Sequence, residues 1–569
     1  MTILFVLASP EYLRFFDTTI ALLAGRGHQA HVVFDEAAEY KPMGLGGASA
    51  LPLSSVTVVP PPRTFWGDTA FAWRVVVDFL RFLHPDYADA AVLRERIRRK
   101  LLPVAFQWLN RIRRLPAGVL GTVLAAMRVG ERALPVDPRV RRTLSTLAPD
   151  LVVVSPLVDA GSPQVDWVKG ARQQGIASAV AVASWDNLTN KGLMRLAPDR
   201  VLVWNEIQRG EAMRYHAIAA ERVAVTGAAV FDRWFEREPS QARERFCLDA
   251  GLPDAQPFVL FTASSPFIAD GGDEVALVRR WVHALRTAPD PQVRSLRVIV
   301  RPHPYGVAKW IGVDLGDAAA VVWPRGAFNP AGEDGRRDLF DTLFHAAAVV
   351  GINTTAMIEA AIVGRPVLTV TGFTTQAGTL HFRYLLHENG GPVRQAATLA
   401  EHVVQLAASL TPAPAAAATA QTFVQSFVRP QGLHQASTPR LADAIEAAAA
   451  LRVPRRTDAF ARMLLGPAMG AFGVWVALVA RLTGSDPFGP VRKHVVHPLR
   501  VARRASERSV ARLREQAVRN RRLAANRLRR ADHVVRAGIR KTPSVWKHFR
   551  RAMRQARYTL GMLRRGSSS

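Results

Sequence analysis

The 569-residue sequence predicts an α/β protein with two domains. Short apolar runs of strand length alternate with helical stretches, the mark of parallel sheets wound by crossover helices. The alternation runs twice, starting afresh near Asp232. The length also exceeds what one ordinary core fills. Together these give two Rossmann-type domains facing a cleft. A helical insertion interrupts the first, and a helical basic extension follows the second. The expected divisions are 1–232 (insertion about 60–145), 233–452, an apolar segment 453–490 and a basic amphipathic tail 491–569.

Ile3–Ala8 reads as a first buried strand. It lacks the basic start of a secretory leader and runs directly into Pro10. Tyr12–Gly25 has helical spacing, and Gly25-Arg26-Gly27 stops it, because glycine accepts the left-handed backbone of a helix end. Ala30–Phe34 is the next strand, completing a βαβ unit. Residues 60–145 break the rhythm with Trp66, Trp73, Phe79, Phe82, Phe106 and Trp108 among arginine-rich runs. Packing helices and a lipid-facing surface fit this composition equally. Strand-like runs resume at Leu151–Ser155, Ala177–Ala183, Val201–Trp204 and Val223–Thr226. The second series is Phe258–Thr262, Leu296–Val300, Val321–Trp323, Ala348–Gly351 and Val367–Val370. Residues 411–420 read as a loose connector, and a helix over Pro439–Leu451 closes the second domain.

Charge is unevenly placed. The chain carries +29, yet Pro490–Ser569 holds 24 Lys and Arg against 3 Asp and Glu, leaving +8 for the rest. Such a tail seeks an anionic surface. Within it Val510, Leu513, Ala517, Ala524, Leu528, Ala531 and Val535 recur at helical spacing. Immediately upstream, Met463–Ala480 is 18 residues without charge between Arg462 and Arg481. That is the lower limit for a membrane span. A span would export the basic tail, which the positive-inside preference opposes. An interfacial or re-entrant element is therefore favoured, with a buried core helix as a third reading. Anionic lipid is the expected partner of the tail. Nucleic acid is disfavoured, because no recognised nucleic-acid module accompanies the basic helix. The single cysteine, Cys247, fits a reducing compartment.

Ligands in doubly wound sheets bind beyond the carboxyl ends of strands. Three motifs fall there. Asn353, Thr354 and Thr355 follow the strand ending at Gly351, and a helix begins. Free amides plus two hydroxyls at such a start suit a phosphate. Glu359 lies one turn further on the face of Thr355 and can accept from ribose hydroxyls. Simple capping explains the same residues and is compatible. Arg301-Pro302-His303-Pro304 follows the strand Leu296–Val300. The prolines hold an extended path that aims Arg301 and His303 into the cleft, where a cation and an imidazole suit a donor diphosphate. Asp186 and Asn187 follow the strand Ala177–Ala183. Asp186 reads either as a base for an acceptor hydroxyl or, with Asn187, as an Asx turn. Lys191 is placed to hold a phosphate. Ser264 reads as a turn residue able to line the donor site. His381 follows the strand Val367–Val370 in a segment that either closes over the donor or is a plain loop. No Walker A, paired Cys-x-x-Cys, His-Glu-x-x-His or Asp-x-Asp pattern occurs.

The order of Trp185-Asp186, Val225-Thr226-Gly227, Arg301-Pro302-His303-Pro304 and Asn353-Thr354-Thr355 with Glu359 resembles GT-B-fold glycosyltransferases. It is most similar to the group holding CDP-glycerol glycerophosphotransferases, capsule polymerases and UDP-N-acetylglucosamine 2-epimerase-like proteins, over roughly residues 1–450. The resemblance implies that His303, Thr354 and Thr355 bind donor phosphates and that Glu359 holds the donor ribose. The glycerophosphotransferases often carry Trp-His-Gly in the first domain, with the His as base; here Trp185-Asp186-Asn187 stands instead. The expectation is a metal-independent transferase without cofactor, moving a group from a nucleotide-sugar or CDP-linked donor to a lipid-linked or surface-glycan acceptor at the cytoplasmic membrane face. An epimerase-like isomerase and a non-catalytic scaffold are its rivals.

Overall fold

The computed structural model describes residues 1–35, 51–59, 64–98, 100–101, 109, 112, 114–254, 256–265, 271–324, 332–371, 379–411 and 414–483. The tail expected at 491–569, and Phe106, Trp108 and 372–376, lie outside them.

The first sheet has seven parallel strands: β1 (Thr2–Leu7), β2 (Gln29–Phe34), β3 (Ser55–Val58), β4 (Leu151–Ser155), β5 (Ala177–Ala181), β6 (Arg200–Val203) and β7 (Val223–Val225). Their spatial order is β3-β2-β1-β4-β5-β6-β7. The second sheet has six: β8 (Phe258–Thr262), β9 (Arg297–Arg301), β10 (Ala320–Val322), β11 (Ala348–Gly351), β12 (Val367–Val370) and β13 (Val393–Ala396). Their order is β10-β9-β8-β11-β12-β13, also parallel throughout. Both sheets reverse direction of growth beside their first strand. That creates a crevice between β1 and β4 and another between β8 and β11, where doubly wound sheets bind ligands. Central strands such as β4, β5 and β8 are buried along their whole length, as both faces are covered by helices.

Among the described residues the insertion carries the α-helices Phe65–Arg81, Ala91–Arg98, Ala117–Ala133 and Pro138–Leu147. Phe79 and Phe82 point into its core, whereas Phe65 and Trp66 remain exposed. Beneath them Arg74 pairs with Glu131 (2.8 Å) and Asp166 (2.5 Å), and Lys169 pairs with Glu131 (3.0 Å), all buried. Every charge in this group has an opposite partner, which is what permits its burial.

Two expectations need correction. The connector read at 411–420 is instead largely a helix, Pro414–Phe427. Its alanines are strong helix formers, Pro414 sits at the start where no amide is needed, and Phe423, Val424 and Phe427 are buried. The last helix of the two-domain body, Ser437–Ala449, does not close the second domain. Leu441, Ala442, Ile445 and Ala448 belong to the core of the first sheet, beside Ile3, Phe5 and Ala179. The chain therefore leaves the first domain after β7 and returns to it.

Both crossings meet at Asp232. Its carboxylate accepts from Arg429 Nη2 (2.8 Å) and from the amides of Ser437 (2.9 Å) and Thr438 (2.6 Å). Gly227 has φ +82°, and a Cβ there would run into Ser437 Oγ. Only glycine meets both demands.

Candidate active site

A cleft of about 340 Å³ lies between the carboxyl ends of the two sheets. Gly351 ends β11 where a Cβ would meet Thr262 Oγ1 at 2.7 Å, so the turn into the next helix runs against β8. Asn353, Thr354, Thr355 and Glu359 consequently line the cleft. The helix Ala356–Ile362 starts with most of its amides occupied. Ala356 N donates to Thr354 Oγ1 (3.4 Å), Met357 N to Thr354 O (3.1 Å) and Ile358 N to Thr355 O (2.9 Å). The amides read from sequence as free are thus largely capped, and the hydroxyls are the groups turned to the cleft. Burial pushes the Glu359 carboxyl up to about 7, against the opposing pull of Arg14 and Arg301.

From β9, Arg301 is buried with Nη1 donating to Asp338 Oδ2 (2.6 Å) and Thr342 Oγ1 (2.9 Å). Its position is fixed and its charge is partly answered by Asp338. His303 lines the cleft. Burial, then the charges of Arg14 and Lys309, push its imidazole down to about 4. It is neutral at pH 7 and offers a hydrogen bond rather than a charge.

The opposite wall comes from the first sheet. Ser184 Oγ donates to Asp186 Oδ1 (2.6 Å), and Asn187 Nδ2 to the same oxygen (3.3 Å). Burial raises the Asp186 carboxyl, but His381, Lys191 and the Ser184 hydroxyl outweigh it and hold it below its ordinary value. Trp185 reaches across the cleft, its Nε1 donating to Thr355 Oγ1 (3.3 Å) and its ring lying edge-on to His381 (4.3 Å). His381 Nε2 donates to Asn353 Oδ1 (3.2 Å), and Asn353 Nδ2 donates to Thr379 Oγ1 (2.9 Å). Burial pushes His381 down to about 4 despite Asp186 nearby.

Eight of the residues singled out from sequence thus meet around one cleft: Asp186, Arg301, His303, Asn353, Thr354, Thr355, Glu359 and His381. Three do not line it. Lys191 points into an ion pair with Asp159 (2.7 Å) and donates to Tyr12 (3.0 Å). Asn187 holds the turn, its Oδ1 accepting from Ser184 N (3.2 Å). Ser264 is buried behind the wall, with its amide donating to Glu274 Oε1 (2.7 Å), while its neighbour Ser265 faces the cleft.

Arginines were the residues missed. Arg14, Arg233, Arg237 and Arg336 also line the cleft. Arg233 (2.8 Å) and Arg336 (3.2 Å) share Asp17, and Arg237 pairs with Glu333 (2.7 Å). Arg14, exposed beyond β1, stacks on Phe15 at 4.7 Å and makes no ion pair among the described residues. Arg14 follows the carboxyl end of β1, at the sheet's reversal point, a position that becomes visible only once β1 is paired with β4. No three His, Cys, Asp or Glu side chains gather at metal-binding distance among the described residues.

Two parallel doubly wound sheets facing across a cleft, with the helix Ser437–Ala449 returned to the first, define a GT-B-like fold. No protein-family model matches the chain, and no curated protein does. Solved structures do. UDP-GlcNAc 2-epimerase from Methanocaldococcus jannaschii is 10% identical, over 79% of this chain and 100% of that one, with a TM-score of 0.47. The calicheamicin glycosyltransferase CalG4 is 15% identical, over 80% and 99%, at 0.42. A glycosyltransferase from Rickettsia africae is 9% identical, over 79% and 98%, at 0.44.

Proposed function

We propose that the chain is a transferase that takes a group from a nucleotide-activated donor, a nucleotide sugar or a CDP-linked relative, to a hydroxyl acceptor that is lipid-linked or part of a surface glycan. The convergence of Arg14, Arg301, His303 and the Thr354–Thr355 hydroxyls on one cleft carries this reading. Such a set matches a diphosphate: cations answer its charge, and neutral donors complete its hydrogen bonds. Glu359 sits beyond the hydroxyls, where a ribose would follow its phosphates.

Asp186 faces this group from the other domain. It is ionised at neutral pH and positioned by Ser184 and Asn187, so it can accept the proton of an incoming acceptor hydroxyl. The leaving group, a nucleoside diphosphate from a nucleotide sugar or CMP from a CDP-linked donor, would depart with its new charge held by Arg14 and Arg301. No cofactor enters this scheme, and the donor is a substrate.

Calorimetric titration with UDP, CDP, CMP, GDP and dTDP tests the donor site. One nucleotide is expected to bind, and Glu359→Ala to weaken it. Binding of none would move the assignment to a non-catalytic scaffold. Turnover of the donor without any acceptor would instead identify an epimerase-type isomerase.

A further inference from the structure

The helix Ala459–Thr483 is long and apolar enough to cross a membrane. It is nevertheless docked on the body by one face. Val476 is 1% exposed, Phe472 stacks edge-on against Trp73 at 5.6 Å, and Gly473 lies where a Cβ would meet Phe65 at 2.6 Å. Its neighbours are the insertion helices Phe65–Arg81 and Ala117–Ala133.

The opposite face is the anomaly. Phe460, Met463, Leu464, Val474, Leu478 and Leu482 are between 52% and 76% exposed. Phe460, Met463 and Leu464 near one end and Val474, Leu478 and Leu482 near the other fall on the same side of the helix at its 3.6-residue period. A helix on a water-facing surface carries its polar residues there; this one carries none between Arg462 and Arg481. The helix Ala117–Ala133 beside it continues the pattern. Its exposed positions from Ala117 to Ala126 are Ala, Gly, Val and Thr, and Trp66 sits at the seam near Gly470.

We infer that these two helices, with Phe65 and Trp66, form one apolar face that docks in the plane of an anionic phospholipid bilayer. Charge complementarity selects this occupant over a protein. The exposed Arg114, Arg462 and Arg481 stand at the helix ends, and neither helix exposes an acidic side chain among the described residues. In sequence, a segment of charge +21 follows. Apolar stripe, edge tryptophan and cationic rim are the three parts of an interfacial helix. A span is disfavoured. The inner face would have to leave Val476 and Phe472 unpacked, or the helix would have to draw its neighbours and their buried Arg74–Glu131 pair into hydrocarbon.

Flotation of the full chain with phosphatidylcholine–phosphatidylglycerol vesicles tests it. In about 1 M salt charge attraction is screened to a few ångströms, so retention there reads apolar contact. The unaltered chain is expected to float at low and high salt. Met463→Glu with Val474→Glu and Leu478→Glu should float only at low salt, through the basic tail, with its melting temperature unchanged because all three sites face outward. Equal flotation of both proteins at high salt, or loss of both, overturns the inference. So does an oligomer in lipid-free buffer that the triple substitution dissociates, which would make a second copy the occupant. Arg462→Cys and Arg481→Cys should both react with an impermeant maleimide added outside the vesicles, since Cys247 is buried. Protection of one of them would indicate a span.

Discussion

Arg14 is the cleft cation least committed to the protein itself, so its removal should be felt by an anion more than by the fold. Arg14→Ala is expected to weaken nucleotide binding by about 10- to 100-fold, the worth of a charge-assisted hydrogen bond, while leaving the melting temperature unchanged. With Asp186 as the base proposed for the acceptor hydroxyl, Asp186→Asn should lower turnover by roughly 10²–10⁴ with nucleotide affinity retained. A separate carboxyl reports on pH. Glu211 is buried beside Tyr384 and Arg383, and burial pushes it up to about 8. The folded chain then holds a proton that the unfolded chain has released, so stability falls as pH rises from the ordinary carboxylate range to about 8. Glu211→Gln should remove that loss and stabilise the chain at pH 9 by on the order of 2 kcal/mol, read from denaturant melts. Much of the site was legible because its parts are local. A proline-flanked Arg-x-His and a polar triplet after an apolar run announce strand ends by themselves. Arg14 carries no such local mark, since only the pairing of β1 with β4 brings it to the cleft. Lys191 misled for the reverse reason: adjacency to Asp186 in sequence says nothing of Asp159, which claims it.

Among the elements, strands buried on both faces were readable as unbroken apolar runs, and β4, β8, β11 and β12 fall where those runs lie. The edge strands β3 and β13 were not. β3 is largely exposed, and β13 alternates Arg394 and Gln395 with buried ends, so neither shows a continuous run. The helix Pro414–Phe427 hid behind a Pro-Ala-Pro opening that reads as linker until its buried Phe423 and Phe427 are seen. The helix Ala459–Thr483 presents a different difficulty, because both of its faces are apolar and periodicity cannot say which is inside. Packing decides, through Gly473. Gly473→Ala places a methyl against the Phe65 ring and Thr69, and should lower stability by about 1–3 kcal/mol, as overpacking does. Calorimetry on the full chain would show it as a lower melting temperature, and an unchanged one would mean the helix is held elsewhere.

For the molecule as a whole, the two domains are tied where the chain crosses between them. Asp232 serves four donors from the returning segment and is itself buried. Asp232→Ala leaves Arg429 buried without its charge partner and should cost about 3–5 kcal/mol. Urea melts would register it as a lower midpoint. The returned helix Ser437–Ala449 has a consequence in the order of synthesis. A ribosome delivers all seven strands of the first sheet by Val225, yet the helix that seals one of its faces is more than two hundred residues away. Until it emerges, the apolar surface over β4 and β5 stays uncovered, so the first domain to be made is the last to be finished. A chain halted after Ala436 would present that surface to its neighbours, and the nascent protein depends on the helix Ser437–Ala449, or on a chaperone standing in for it, to stay soluble.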